Sequence, residues 1–285
     1  MLIWQGVGPA RTLSSQGIKL ISNLSGVGQN LWDQIFFSVL RGLSSPTTAA
    51  YIATPAQQAM AMQEYLSNAS GPYSSAGGYL SFEKLPAHSR TSFSARTTDL
   101  LARFPSDWPE IEYIAPGFPG GSANLTTIGA ISAILLAPTS RGSVTIKSAS
   151  ISDPPVIDLG WLVDPADGEI LVAAFKRARE AWNSSAIADF VVGPEIAPGN
   201  TVISDAQILD YIRQSAQTIW HASSTCAMGK AGSAGAVVDS KARVFGVKGL
   251  RIVDNSVIPF SLPGHPQSSM YMLAEKIADD IARGN

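Results

Sequence analysis

The chain has little charge and almost no cysteine. Of its 285 residues 15% are charged, and 20 Lys and Arg against 22 Asp and Glu leave a formal charge of −2. No block of Lys or Arg stands out, which excludes the clustered basic footprint of a nucleic-acid binder. The lone cysteine, Cys226, excludes intrachain disulfides and a Cys-rich zinc site, and it reads most simply as a small buried residue. Long apolar runs are missing too. The longest, residues 128–137 (IGAISAILLA), falls far short of the roughly 20 residues that a membrane helix needs. A Gly-x-Ser-x-Gly elbow and a P-loop Gly-Lys-Ser/Thr are both absent, so a serine hydrolase and a P-loop NTPase lose their signatures. What is there is 45% apolar, too much for a disordered chain and enough for one large or two ordinary cores.

Met1 is followed by LIWQGVGPA, which has neither the basic start nor the apolar stretch of a secretory signal. It reads as the last turn of a helix stopped at Gly6, as in a chain cut from a longer one. Four Asn-x-Ser/Thr triplets, at Asn23, Asn68, Asn124 and Asn183, fall among only eight asparagines. Abundant Ser and Thr supply some of these by chance; the alternative is a glycosylated, secreted parent whose signal lies upstream.

Periodicity predicts a mixed α/β (α+β) chain. Helices are predicted at 10–16, at 55–67 with Ala59, Met62 and Leu66 on one face, at 164–182, and from Ser204 to about 216. Ser204 stands three residues before Gln207, a capping-box spacing. Strands are predicted at 18–21, 110–114, 127–137 and 142–147, with short β-rich runs at 237–239, 243–247 and 250–253. Residues 86–108 read as a polar loop. A last helix carries Met270, Leu273, Ala274, Ile277, Ala278 and Ile281 as one stripe, with Gly284 at its end.

The glycine pairs GVGP (6–9) and GVGQNL (26–31) lack the third glycine of a dinucleotide fingerprint and read as turns. His88 lies in a polar stretch and reads as solvated. His221 in TIWHASSTCAMG and His265 in SLPGHPQSSMYML each have a structural alternative, but with Asp254 ending a strand they suggest a proton-handling site. No metal-ligand spacing is present.

The block HASSTCAMG…VVDSKARVFGVKGLRIVDNSVIPFSLPGHPQSSMYMLAEKIADDI resembles the C-terminal part of glucose-methanol-choline (GMC) oxidoreductases, which are FAD-dependent. LIWQGVGPARTLSSQGIKL…LSGVGQNLWDQ resembles that family's mid-chain signature, and APTSRGSVTI the strand entering its C-terminal region. The texture is similar to fungal members that act in secondary metabolism or on aryl alcohols. Two departures stand out. Gln34 occupies the place where the lid motif usually has His, which points to an altered entrance, and the N-terminal ADP-binding βαβ unit is absent.

The resemblance implies an FAD-dependent alcohol oxidase or dehydrogenase acting on a small-molecule alcohol, with the N-terminal FAD-binding half missing. It implies a substrate domain with an antiparallel sheet at 36–220, which contains both the 127–137 and 142–147 strands, and FAD-domain segments at 1–35 and 221–285. His221 takes the part of general base, and His265 hydrogen-bonds the same substrate oxygen. Asp254 contacts the ribityl–pyrophosphate stretch, where the alternative is a cap on the following turn. Pro266 in the first helical turn and Gln267 bring the positive end of the last helix to the flavin. Trp220 and Asn255 border these positions. Family relatives include lyases and cyclases that keep flavin as scaffold, and an inactive fragment is the third reading.

Overall fold

The structure, a computed structural model, describes residues 1–74, 78–115 and 127–284. The Asn124 triplet lies outside them. The fold is mixed α/β and divides into two compact units: residues 1–35, 136–164 and 218–285 form the first, and 36–135 with 165–217 the second.

The first unit is built around Ile3, Leu13, Val27, Val237, Val238 and Val257, all buried. Its regular elements are short. Helix Ala10–Ser15 separates two-residue parallel strands Val7–Gly8 and Ser22–Asn23, and Ser143–Thr145 pairs antiparallel with Val156–Asp158. Helix Gln267–Ala282 closes the unit, followed by Gly284 at φ +75° in the left-handed region that suits a residue after a helix. The runs near 237–253 make isolated bridges rather than strands, and the strand expected at 18–21 is reduced to Ser22–Asn23. Leu20 and Ile21 are exposed, so no apolar burial extends that pairing.

The GVGQNL glycines are turns that let backbones touch. Gly28 sits at φ +76°, donates to the Thr225 carbonyl (2.8 Å) and accepts from the Val144 N–H (2.7 Å). A Cβ there would collide with the Val144 carbonyl, and one on Gly26 with the Gly235 carbonyl. This contact overturns part of the expected division. Residues 136–164 belong with the first unit, because Gly142 exchanges backbone hydrogen bonds with Leu31 while Val144 pairs with Gly28. The 142–147 stretch therefore leaves the large sheet.

The second unit holds that sheet. Its strands run in the order Ile35–Leu43, Ile128–Leu135, Ile111–Ala115, Tyr79–Glu83, the last three antiparallel, and Val191–Ala197 pairs antiparallel with Ile35–Leu43. In Ile35–Leu43 alternate residues Ile35, Phe37 and Val39 are buried, the period-two pattern of a strand with one packed face. Helix Pro165–Trp182 covers that face. Phe175 meets Phe37 at 5.8 Å between ring centroids, and Trp182 Nε1 donates to the Val39 carbonyl at 3.0 Å. Each fully buried side chain of this size contributes about 1.5–3 kcal/mol. Helix Asp205–Ser215 packs on it, opened by Ser204 and Gln207 bonding reciprocally.

Two readings need correction here. Helix Pro55–Asn68 forms behind a Thr54–Gln57 capping box, but it buries Ala61 while Met62 and Leu66 stay exposed. The polar 86–108 stretch contains helix Ala95–Leu101, started by Ser94 accepting from the Thr97 N–H.

Candidate active site

The chain near His221 is held by a backbone bridge. Trp32 and Ser223 exchange both N–H···O bonds, at 3.1 and 2.8 Å, as an antiparallel pair. Extending that register by two residues sets Gln34 opposite His221 on one face. The side chains meet: His221 Nδ1 lies 2.7 Å from Gln34 Oε1. Asn255 Nδ2 donates to the carbonyls of Ala222 (2.7 Å) and His221 (3.3 Å), fixing the same backbone from another segment. Trp220 takes a left-handed turn (φ +61°) just before, with its backbone N–H on Thr218 Oγ1 and the residue 83% exposed.

His265 comes from the loop before the last helix. Ser261 Oγ donates to the Leu136 carbonyl (2.7 Å), and Gln34 Nε2 donates to the carbonyls of Leu262 (2.9 Å) and Gly264 (3.3 Å). So anchored, the His265 ring stands edge-on to His221, 4.8 Å between centroids at 78°. The two histidines that lie far apart in sequence are neighbours. His88, by contrast, is exposed and faces Glu180.

Burial first, and the neighbouring His265 second, push the His221 imidazole down to about 4. Asp33 is almost fully buried beside it, and burial raises its carboxyl above the usual range although Thr218 and the backbone of Gln34 and His221 pull the other way. Sequence reasoning missed Asp33. It also placed Gln34 at an entrance, whereas Gln34 is 1% exposed and bonded to His221.

The remaining candidates lie close by in the chain. Asp254 is exposed, and one carboxylate oxygen caps the turn at Asn255–Val257 by accepting from the Ser256 N–H at 2.9 Å. Pro266 is the N-cap of helix Gln267–Ala282: the Met270 N–H bonds to its carbonyl at 3.0 Å, so the first turn closes on Pro266. A small cavity is lined by Gln34, His221, Asn255, Phe260 and Pro266. Among the described residues no group of His, Cys, Asp and Glu could hold a metal ion.

Residues 138–274 match the family model described as GMC oxidoreductase. These residues are similar to the C-terminal domain of GMC oxidoreductases. Over all or nearly all of its length the chain is similar to two fungal proteins. It is 44% identical to dehydrogenase pkfF of Emericella nidulans, covering 100% of this chain and 47% of that protein. It is also 44% identical to patulin synthase of Penicillium expansum, covering 99% and 46%. Among solved structures, an FAD-dependent oxidoreductase from Chaetomium thermophilum superposes with a TM-score of 0.83 at 26% identity, covering 100% of this chain and 53% of that one. The chain thus spans about half the length of the relatives it matches. GMC oxidoreductases depend on FAD.

Two features of these residues fit such a cofactor. Asn255 Oδ1 is a buried acceptor with no hydrogen-bond partner, and no side chain caps the N-terminus of Gln267–Ala282. A flavin offers matching groups, since its N3–H and ribityl hydroxyls donate while N1 and the C2 carbonyl accept. The expected stripe of the last helix buries only Ile277, while Tyr271, Met272 and Ile281 are exposed. Among the described residues no helix is long and apolar enough to cross a membrane.

Proposed function

We propose that the protein containing this chain oxidises a small-molecule alcohol by hydride transfer to FAD, with His221 as general base. FAD, when bound, supplies the hydride acceptor. His221 takes the hydroxyl proton on Nε2, since Nδ1 is committed to Gln34. His265 hydrogen-bonds the same oxygen and orients it. The carbinol carbon loses its hydrogen with the electron pair, the oxygen loses a proton, and a carbonyl product remains. The observation that carries this reading is the edge-to-face pair of imidazoles at 4.8 Å, close enough to share one oxygen. The uncapped N-terminus at Gln267 and the acceptor on Asn255 would hold the flavin ring, and Asp254 its polyol chain. Trp220 borders the site. Residues 1–35 and 221–285 serve as FAD-domain segments and the large sheet as substrate domain. The remainder of the protein would supply the Gly-x-Gly-x-x-Gly unit that cradles pyrophosphate. Exposed triplets at Asn23, Asn68 and Asn183 support a secreted glycoprotein, and a mass shift after glycan removal would check it.

The test is anaerobic mixing of the flavin-loaded protein with a panel of primary, aryl and secondary alcohols. Bleaching of the flavin absorbance with carbonyl product is the expected result. Product without bleaching would favour a lyase or cyclase that keeps flavin as scaffold, and absence of bound flavin would favour an inactive fragment.

The pH dependence follows from the lowered imidazole. A base held near 4 stays unprotonated through mildly acidic pH, so kcat/KM should hold level down to about pH 5 and fall through about 4. An acid limb near 6.5 would contradict it. The same shift acts on folding. An unfolded His221 binds its proton below about 6.5 and the folded one only near 4, so this contribution to stability is full above 6.5 and is lost as pH falls toward 4.

A further inference from the structure

We infer that Gln34 is a positioning residue that locks His221 in the Nδ1–H tautomer and sets the His265 loop against it. The assignment follows from hydrogen-bond polarity. The carbonyls of Leu262 and Gly264 can only accept, so the amide group facing them at 2.9 and 3.3 Å must be the Gln34 NH2. That leaves Oε1 toward His221, and a carbonyl oxygen can only accept. The atom 2.7 Å away, His221 Nδ1, must therefore carry the hydrogen. In the neutral ring the lone pair is then on Nε2.

Reversing the amide would suit only the opposite His221 tautomer, and it would set an oxygen against two carbonyl oxygens, losing the bonds to Leu262 and Gly264. At 1% exposure no water stands ready to replace them. The Nδ1–H bond also survives protonation, because an imidazolium carries hydrogen on both nitrogens. Nε2 can thus gain and lose a proton while the ring stays in place.

The second half of the device is the loop. Gln34 Nε2 also lies 3.4 Å from Ser261 Oγ, and Ser261 is itself tied to the Leu136 carbonyl. One buried side chain thus spans the His221 segment and residues 261–264, directly before His265. A histidine at position 34, the residue the resemblance leads one to expect, could exchange its own donor and acceptor nitrogens or take a charge. Glutamine does neither. Its polarity is fixed at every pH, and so is that of the ring it holds.

This inference rests on His221 as the proposed base, but its test reads the ring directly. This chain has three histidines, and loss of a signal in His88→Gln, His221→Asn or His265→Asn assigns each of them in a [15N]histidine-labelled sample. Long-range 1H–15N correlations in the whole flavin-loaded protein should show His221 as one species above about pH 5, with Nδ1 protonated and Nε2 bare. Gln34→Leu should yield both tautomers in exchange, shift the His265 signals, and lower kcat at least about tenfold with KM nearly unchanged. Gln34→Glu keeps an acceptor, so the tautomer should persist while the His221 pKa rises. An Nε2–H tautomer in the unsubstituted protein overturns the inference, whatever the variants do. So does a single Nδ1–H species in Gln34→Leu. If the tautomer is as stated but His221→Ala still turns over, the proposed base fails and the role of Gln34 in holding the ring stands.

Discussion

Replacing His221 with alanine should lower the rate of anaerobic flavin bleaching by about 10²–10⁴-fold, the usual size of a general-base contribution. That loss equals roughly 2.7–5.5 kcal/mol of transition-state stabilisation. It should fall on kcat rather than KM, because the proton moves only as the C–H bond breaks. Alanine also leaves Gln34 Oε1 buried without its donor, which costs stability and confuses the reading. His221→Asn is the cleaner variant: its amide NH2 can still donate to Gln34 Oε1, yet no nitrogen of an amide takes a proton near neutral pH. A loss of similar size in both variants, with unchanged flavin content, assigns the defect to the missing base. His265→Asn keeps a donor for the substrate oxygen and should cost far less. Equal losses at both histidines would mean that the base has been assigned to the wrong ring or is shared between them.

How much of this was legible in the sequence depends on the range of the interaction. Helix Pro165–Trp182 and the Ser204 capping box rest on neighbours a few residues away, and both were readable within their own segments. Helix Ala95–Leu101 has a local signal as well, Ser94 before Thr97, but its Arg and Thr side chains hide the apolar period. Strand Ile35–Leu43 alternates cleanly at Ile35, Phe37 and Val39, yet it follows closely on the GVGQNL motif and is not among the strands predicted from the sequence. The placement of 136–164 turns on Gly142 and Val144 reaching back to Leu31 and Gly28, contacts that no local window contains. The site divides the same way. His221 and His265 stood out by residue type and by the motifs around them. Gln34 did not, because its role is created by the Trp32–Ser223 bridge, which brings Gln34 to His221, 187 residues further along the chain. Its replacement of a histidine was visible, but the ring it holds was not.

The other large effect is on stability and lies in the second unit. Arg179 and Glu195 form a two-bond fork, Nη2 to Oε1 at 2.6 Å and Nε to Oε2 at 2.9 Å. The carboxylate side chain is 5% exposed and the guanidinium 22%, so water screens the pair poorly. Arg179 also donates to the Val202 carbonyl at 2.7 Å and stacks on Phe175, 4.4 Å from the ring centroid. The pair thus ties helix Pro165–Trp182 to strand Val191–Ala197. Arg179→Met keeps much of the stem packing on Phe175 but leaves the Glu195 carboxylate in a nearly dry site without its cation, with the Gly199 N–H at 3.2 Å as a neutral donor. Breaking a buried pair in this way costs about 3–5 kcal/mol, against about 1 kcal/mol or less for an exposed one. Denaturant unfolding of Arg179→Met should show a loss in the upper range. Adding Glu195→Leu to it should restore part of that stability, since the uncompensated charge is then gone and an apolar group fills the space. A double variant no better than the single one would mean that the bonds to Val202 and the stacking on Phe175, rather than the charge pair, hold the strand to the helix.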